Sequence, residues 1–498
     1  MSSFMRQRLH LESLEGRTLP AVNVAATING ISFADDSRYE PPDTDVAVGP
    51  SYVVETVNDS VALFDRASGQ RLYLVKLNNF FSPLGNTTTL GDPVVTYDEL
   101  TGQFVLGVLD YPSGYDRFDV AVTNDADPLD GWTLARYDTL HDGTTGSYFA
   151  DYPKVGYNAD AWVFSLNMIH GGFTGFNHVD TLSIDKSDLT GYLQVVPGAE
   201  ANSTLAPATM HGANPGDPMW LVETNTATSL TVVKMTDVLS DSPTYTFTDV
   251  PVAFYGIPPN APQPGGGSIN VSQIGNRIMN AVMRNGQLLT DHTVAVGSAA
   301  AVRWYQIDTT GATPVVVQTG TINQGPGVYT YYPAIEVNSQ GDLGLTFMES
   351  SATEYGSMYV TGRSASDPAG TLQTPVLAWA GSNRYTGTRA GDYSGISVDP
   401  TDGVSFWAAN EYMGTPLWDT GIATFGVSPA GTSSALGTAL TPEPLLLPTR
   451  HDPLNVPVPN RQVVAPSDQR VEPPKKDPEP VAPRWSIQVD PPDDWLTV

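Results

Sequence analysis

Asp151-Tyr152-Pro153-Lys154-Val155-Gly156-Tyr157-Asn158-Ala159-Asp160-Ala161-Trp162-Val163-Phe164-Ser165-Leu166-Asn167-Met168-Ile169 reads as two short strands around a turn. An acidic residue and a proline open it, residues alternate at period two, and Asn158 with Asp160 supplies the turn chemistry. The phrase returns roughly every 50 to 65 residues: PPDTDVAVGPSYVVETVND from Pro41, GDPVVTYDELTGQFVLGVLD from Gly91, and GDYSGISVDPTDGVSFWAANEY from Gly391. Weaker copies start near Leu205, Ser268 and Tyr331. One such sheet cannot cover both of its faces, whereas copies packed around an axis cover one another. Seven copies predict an all-β fold, a β-propeller of seven four-stranded blades, with six as the alternative count.

The last copy offers only three strand-like segments before the chain turns proline-rich. The alternating stretch Val22–Ile31, ahead of the first copy, is expected to supply the missing strand and fasten the ring. The chain therefore divides into a leader or sorting segment over 1–20, the propeller over 21–428, and a proline-rich tail over 429–498 expected to be disordered. In that tail Trp485, Ile487 and Trp495 form either a short docking motif or scattered apolar residues.

Composition narrows the chemistry. A formal net charge of −29 repels phosphate backbones and argues against nucleic acid as a partner. There is no cysteine, so disulfides, zinc-thiolate sites and cysteine nucleophiles are excluded. No run of eighteen apolar residues suggests a transmembrane segment. The seven histidines show no zinc-helix spacing, and no nucleophile-elbow serine, phosphate loop or dinucleotide glycine motif is present.

Leu11-Glu12-Ser13-Leu14-Glu15-Gly16-Arg17 resembles the leader of many planctomycete proteins assigned to the surface or exterior; a short amphipathic helix is the alternative. Gly391-Asp392-Tyr393-Ser394-Gly395-Ile396-Ser397-Val398-Asp399-Pro400, with Phe406-Trp407 and Asn410-Glu411-Tyr412, looks like the last repeat of a family of bacterial exported β-propellers. Gly91-Asp92-Pro93, Asp151–Gly156 and Tyr332-Pro333 match its earlier phrases. The likeness implies the propeller fold and an extracellular or cell-surface location, without assigning an activity. Arg389-Ala390-Gly391 departs from it, since the family usually carries tryptophan in the middle position.

Asp127-Pro128-Leu129-Asp130-Gly131-Trp132 is similar to the aspartate boxes of sialidase-type propellers, where the motif is structural. A sialidase also needs three convergent arginines, for which Arg38, Arg303, Arg384 and Arg389 are the candidates. Asp125, Asp127 and Asp130 form a loose calcium-loop pattern, making Ca2+ the one cofactor to consider.

Asp43, Asp92, Asp151 and Asp392 open separate repeats, where blade entrances meet the channel. Two readings compete: each aspartate caps its own turn, which the following proline or tyrosine favours, or together they bind a ligand or a cation. With Tyr152, Tyr332, Arg389 and Tyr393 they make the candidate ligand-binding set. The leading functional reading is a non-catalytic module for a glycan, polysaccharide or protein partner. The alternative is a carbohydrate-active enzyme, a sialidase-like glycoside hydrolase or lyase, using channel-facing carboxylates and tyrosines.

Overall fold

The computed structural model describes residues 22–36, 39–85, 89–111, 116–139, 148–170, 175–198 and 204–429, with the backbone of 461–463. The leader and nearly all of the tail lie outside these residues. Period-two alternation gives each repeat one face for each neighbouring blade, and each folds into a four-stranded antiparallel meander. Blade 1 runs Asp45–Val48, Tyr52–Val57, Ser60–Asp65 and Arg71–Lys76, ordered in space as in sequence. Five further blades span 90–138, 148–195, 206–251, 278–321 and 328–379.

The first strands of the blades line the axis. Asp45–Val48, Leu90–Asp98, Tyr148–Tyr157, Ala206–His211, Ile278–Arg284, Val328–Val337 and Gly395–Val398 neighbour one another in that order, and the last touches the first. The ring has seven blades. In the third, fourth and fifth blades the inner strands come close enough to pair in parallel, with Tyr157 opposite Thr209 and Ala208 opposite Ala281. Gly156 permits this approach, because a Cβ there would stand 2.5 Å from the Ala208 carbonyl oxygen.

Blade 7 takes three strands from its own repeat, Gly395–Val398, Phe406–Tyr412 and Asp419–Val427, and its outermost strand is Val22–Ser32. That strand pairs antiparallel from Val22 opposite Val427 to Ser32 opposite Asp419, burying Val22, Ile28 and Ile31. Glu55 of blade 1 locks the seam: its carboxylate accepts the Ile31 N–H at 2.8 Å and the Thr420 hydroxyl at 2.5 Å.

Apolar layers between blades supply most of the packing. Val54, Leu63, Phe80, Leu106 and Trp132 fill the space between blades 1 and 2, and Trp162 sends its indole N–H 2.9 Å to Asp98 of the preceding blade.

One repeat begins later than its sequence implies. Ser268–Ile269 pairs with Ala261–Pro262 in a small hairpin, and the inner strand of blade 5 starts at Ile278. Gly265, Gly266 and Gly267, all at positive φ, turn the chain back on itself there. Beyond residue 429 only the backbone of Arg461–Val463 is described; it runs parallel to Trp132–Leu134 at the outer edge of blade 2.

Deleting residues 22–32 should uncover the edge of Asp419–Val427 and remove three buried aliphatic side chains, a loss of at least about 5 kcal/mol from apolar burial alone. Thermal melting of the truncated chain checks this, and a Tm equal to that of the full chain contradicts it.

Candidate functional site

The opening phrase of the repeat is a β-bulge. The ladders slip between Gly91 and Val94, Asp151 and Lys154, Ile278 and Ala281, and Tyr331 and Ala334. Asp92, Tyr152 and Tyr332 inside these slips take left-handed backbone, φ 51°, 52° and 50°, as does Asp43 at 53° ahead of blade 1. Proline follows three of the four and has no N–H to leave unpaired in a broken ladder. The bulges turn their side chains toward the axis. By register, Asp92 is equivalent to Tyr152 and Tyr332, while Asp151 is equivalent to Gly91.

All eight candidate residues meet at this end of the channel. The Tyr393 hydroxyl donates to Asp92 at 2.9 Å, and the Tyr152 hydroxyl donates to the Asp392 carbonyl at 2.6 Å. The Tyr152 and Tyr393 rings lie 4.7 Å apart, and the Tyr332 hydroxyl reaches the Asn270 carbonyl at 3.2 Å. Arg389 pairs with the Asp392 carboxylate, which also contacts the carboxyl of Asp43. Tyr152, Tyr332, Tyr393, Asp43 and Asp392 are buried, whereas Asp92, Asp151 and Arg389 are half-buried.

The turn-capping expectation fails for most of these aspartates. Asp43 and Asp392 each keep one buried oxygen without a hydrogen-bond partner, and Asp92 accepts from a tyrosine of another blade. Only Asp151 accepts an N–H of its own turn, from Tyr152. The caps belong to the other end of the inner strand. Asp98, Asn158, Asn338 and Asp399 accept the N–H groups of Leu100, Asp160, Gln340 and Thr401.

Burial, reinforced by the charges of Asp392 and Asp92, holds the Asp43 carboxyl well above the usual range. Burial with Asp151 and Asp392 nearby pushes Asp92 up to about 7. Burial also raises Asp151 against the pull of Arg277 and Arg389.

Four buried or half-buried charged groups at the axis escaped the sequence reading: Lys154, Arg277, Asp291 and Glu411. Lys154 Nζ sits 4.2 Å from the Tyr152 ring centre and 4.1 Å from that of Tyr393. Its signal was a break in the repeat, since Val94, Ala281 and Ala334 hold the same ladder position.

No family model matches this sequence, and no curated protein matches it. Solved structures do. They include the Hadza microbial sialidase Hz136, 14% identical with a TM-score of 0.39, matched over 64% of this chain and 65% of that one. That match spans just under two thirds of the sialidase. The β-propeller domain of Vanderwaltozyma polyspora Nup133 is 10% identical with a TM-score of 0.38, over 77% of this chain and 94% of that one. An exo-β-1,3-galactanase from Phanerochaete chrysosporium is 10% identical with a TM-score of 0.31, over 82% and 96%. The site rests on this chain's own geometry.

The other sequence candidates take separate places. Arg303 donates to the Ala253 and Phe254 carbonyls and Arg384 lies beside Gly267, so of the four arginines considered only Arg389 is described at the axis; Arg38 lies outside the described residues. Asp125 and Asp127 accept the N–H groups of Asp127 and Leu129 inside their loop, and the Trp132 indole donates to the Pro128 carbonyl. Among the described residues no group of three or more histidine or acidic side chains is placed to hold a metal ion.

The far mouth of the channel is different. A polar cavity of about 30 Å³ there is lined by Tyr97, Tyr157, Thr209, His211 and Glu336. His211 bridges Glu99 and Glu336 at 3.0 Å on each side, tying blades 2, 4 and 6. Burial opposes its charge, but the two glutamates prevail and push its pKa up to about 9.

A histidine raised from 6.5 binds its proton more tightly folded than unfolded. Its contribution is full below pH 6.5 and is lost as pH rises to about 9. His211→Gln should remove on the order of 3 kcal/mol at pH 6 and far less at pH 9.5. Parallel melts across that window check it, and an equal loss at both pH values contradicts it.

Proposed function

We propose that this chain is an exported or cell-surface propeller that binds a glycan or polysaccharide at the entrance face of its channel, without catalysis. The supporting observation is the layered axis. The Tyr152, Tyr332 and Tyr393 rings pack as a plug, each 4% exposed or less, and a half-buried polar and aromatic layer includes Asp92, Asp151, Arg389, Arg277, Tyr111 and Tyr329. Carboxylates and guanidinium groups satisfy sugar hydroxyls, while tyrosine faces take the apolar faces of sugar rings. The leader-like segment at Leu11–Arg17 and the repeat likeness to exported bacterial propellers support the location.

Hydrolysis by two opposed carboxylates needs roughly 5 to 9.5 Å between them to admit the glycosidic bond or a water. Asp43 and Asp392 are instead in direct contact, with rings filling the space beside them. The alternative reading, a glycoside hydrolase or lyase, draws support from the unpartnered oxygens of that same pair.

A panel of soluble polysaccharides, tested by titration calorimetry with and without calcium, should yield at least one ligand. Asp92→Asn with Asp151→Asn should weaken it about tenfold or more, as expected when two charge-assisted hydrogen bonds are lost. Asparagine tolerates the left-handed backbone of Asp92, so the fold is kept. No binding across the panel, or unchanged affinity in the double variant, contradicts the proposal; release of reducing ends would establish the enzyme reading.

A further inference from the structure

Lys154 is chemically out of place in its own repeat. Its position is valine or alanine in the second, fifth and sixth blades, so the packing of an inner strand does not call for an ammonium there. Removing that ammonium from water costs more than cation–π contact with two rings returns.

Half-buried Lys234 lies over the Trp220 ring at 5.8 Å, but two other half-buried amines are paired with carboxylates. Lys76 pairs with Asp36 and Asp59 at 2.5 and 2.7 Å, and Lys186 pairs with Asp98 at 2.6 Å. Lys154 is 7% exposed, and among the described residues it has no carboxylate at ion-pair distance and no hydrogen bond; two tyrosine faces hold it. Burial outweighs the pull of Asp45, Asp392, Asp92 and Asp43 and lowers its pKa to about 8. A desolvated amine with its lone pair unengaged is a nucleophile.

The groups around it suit one class of electrophile. Burial raises the Asp43 carboxyl well above the usual carboxylate range and pushes Asp92 up to about 7, so the cluster can give a proton to a leaving hydroxyl and take one back. The same aspartates repel an anionic substrate and accept hydrogen bonds from hydroxyl groups.

We propose that Lys154 is a covalent amine site that captures a small hydroxylated aldehyde as an imine. The Nζ lone pair attacks the carbonyl carbon, the C=O π pair moves to oxygen, and a proton transfer gives the carbinolamine. A proton from the acid cluster then converts its hydroxyl to water, the C–O bond breaks, and the nitrogen returns a proton to the cluster. Amine and aldehyde become imine and water, with no change in oxidation state. The capture goes beyond polysaccharide binding and does not require it.

The test uses the full chain with glycolaldehyde and sodium cyanoborohydride, which reduces an imine to a stable secondary amine, followed by peptide mass mapping at pH 7. Lys154 should be labelled about tenfold faster than Lys76, Lys186 or Lys234, because burial lowers its pKa to about 8 and no carboxylate pairs with its ammonium, whereas Lys76 and Lys186 are ion-paired. Pyruvate should label it more slowly than glycolaldehyde. Lys154→Arg keeps the cation over the rings and should keep the Tm while abolishing label at that position. A purely structural lysine would give no preferential labelling in the folded wild type. Labelling of Lys154 no faster than the other lysines, or only after unfolding in urea, overturns the proposal.

Discussion

The antiparallel pairing of Val22–Ser32 with Asp419–Val427 holds everything else in place. A ring of blades has no covalent seam here, because the chain has no cysteine, so closure falls to one ladder of hydrogen bonds and the aliphatic side chains beneath it. Glu55 joins both sides of that ladder while buried, and burial pushes its pKa up to about 7. Gly30 makes room for it, since a Cβ would collide with both Thr420 and the Glu55 carboxylate. The axis keeps its geometry only while the seam stays shut, because the entrance cluster draws on blades 1, 2, 3, 5, 6 and 7.

The bulge that opens the repeat serves two purposes. It ends regular pairing at the mouth, and its left-handed residue sends a side chain inward; with proline next, no donor is orphaned. Repetition then gathers residues far apart in sequence onto one axis. Repetition alone would give a symmetric ring, and the chemistry comes from the departures: aspartate in blades 1 and 2, tyrosine in blades 3 and 6, and a lysine where other blades hold valine or alanine.

The two mouths of the channel show how a scaffold differs from a site. At the far mouth His211 sits between Glu99 and Glu336, and its charge is matched on both nitrogens. At the entrance Asp43, Asp291, Asp392 and Glu411 carry buried oxygens without hydrogen-bond partners, and Lys154 is held only by rings.

Local chemistry was legible in the amino-acid string. Alternation at period two, the acid-proline openings and the spacing of copies determined an all-β ring of seven blades, and the three-stranded last copy pointed to Val22–Ile31 as the closing strand. These signals act between near neighbours in sequence. The role of the entrance aspartates was not legible, because a cap and a channel carboxylate begin with the same residue type beside the same proline. For Asp92 the difference lies in the bulge, in its register and in a positive φ that no side-chain pattern reveals. Lys154 showed only as a break in the repeat, and Asp291 and Glu411 did not show as site residues at all. Burial and the charges around a group are set by strands hundreds of residues away, so only the closed ring determined which charges stand unpaired at the axis.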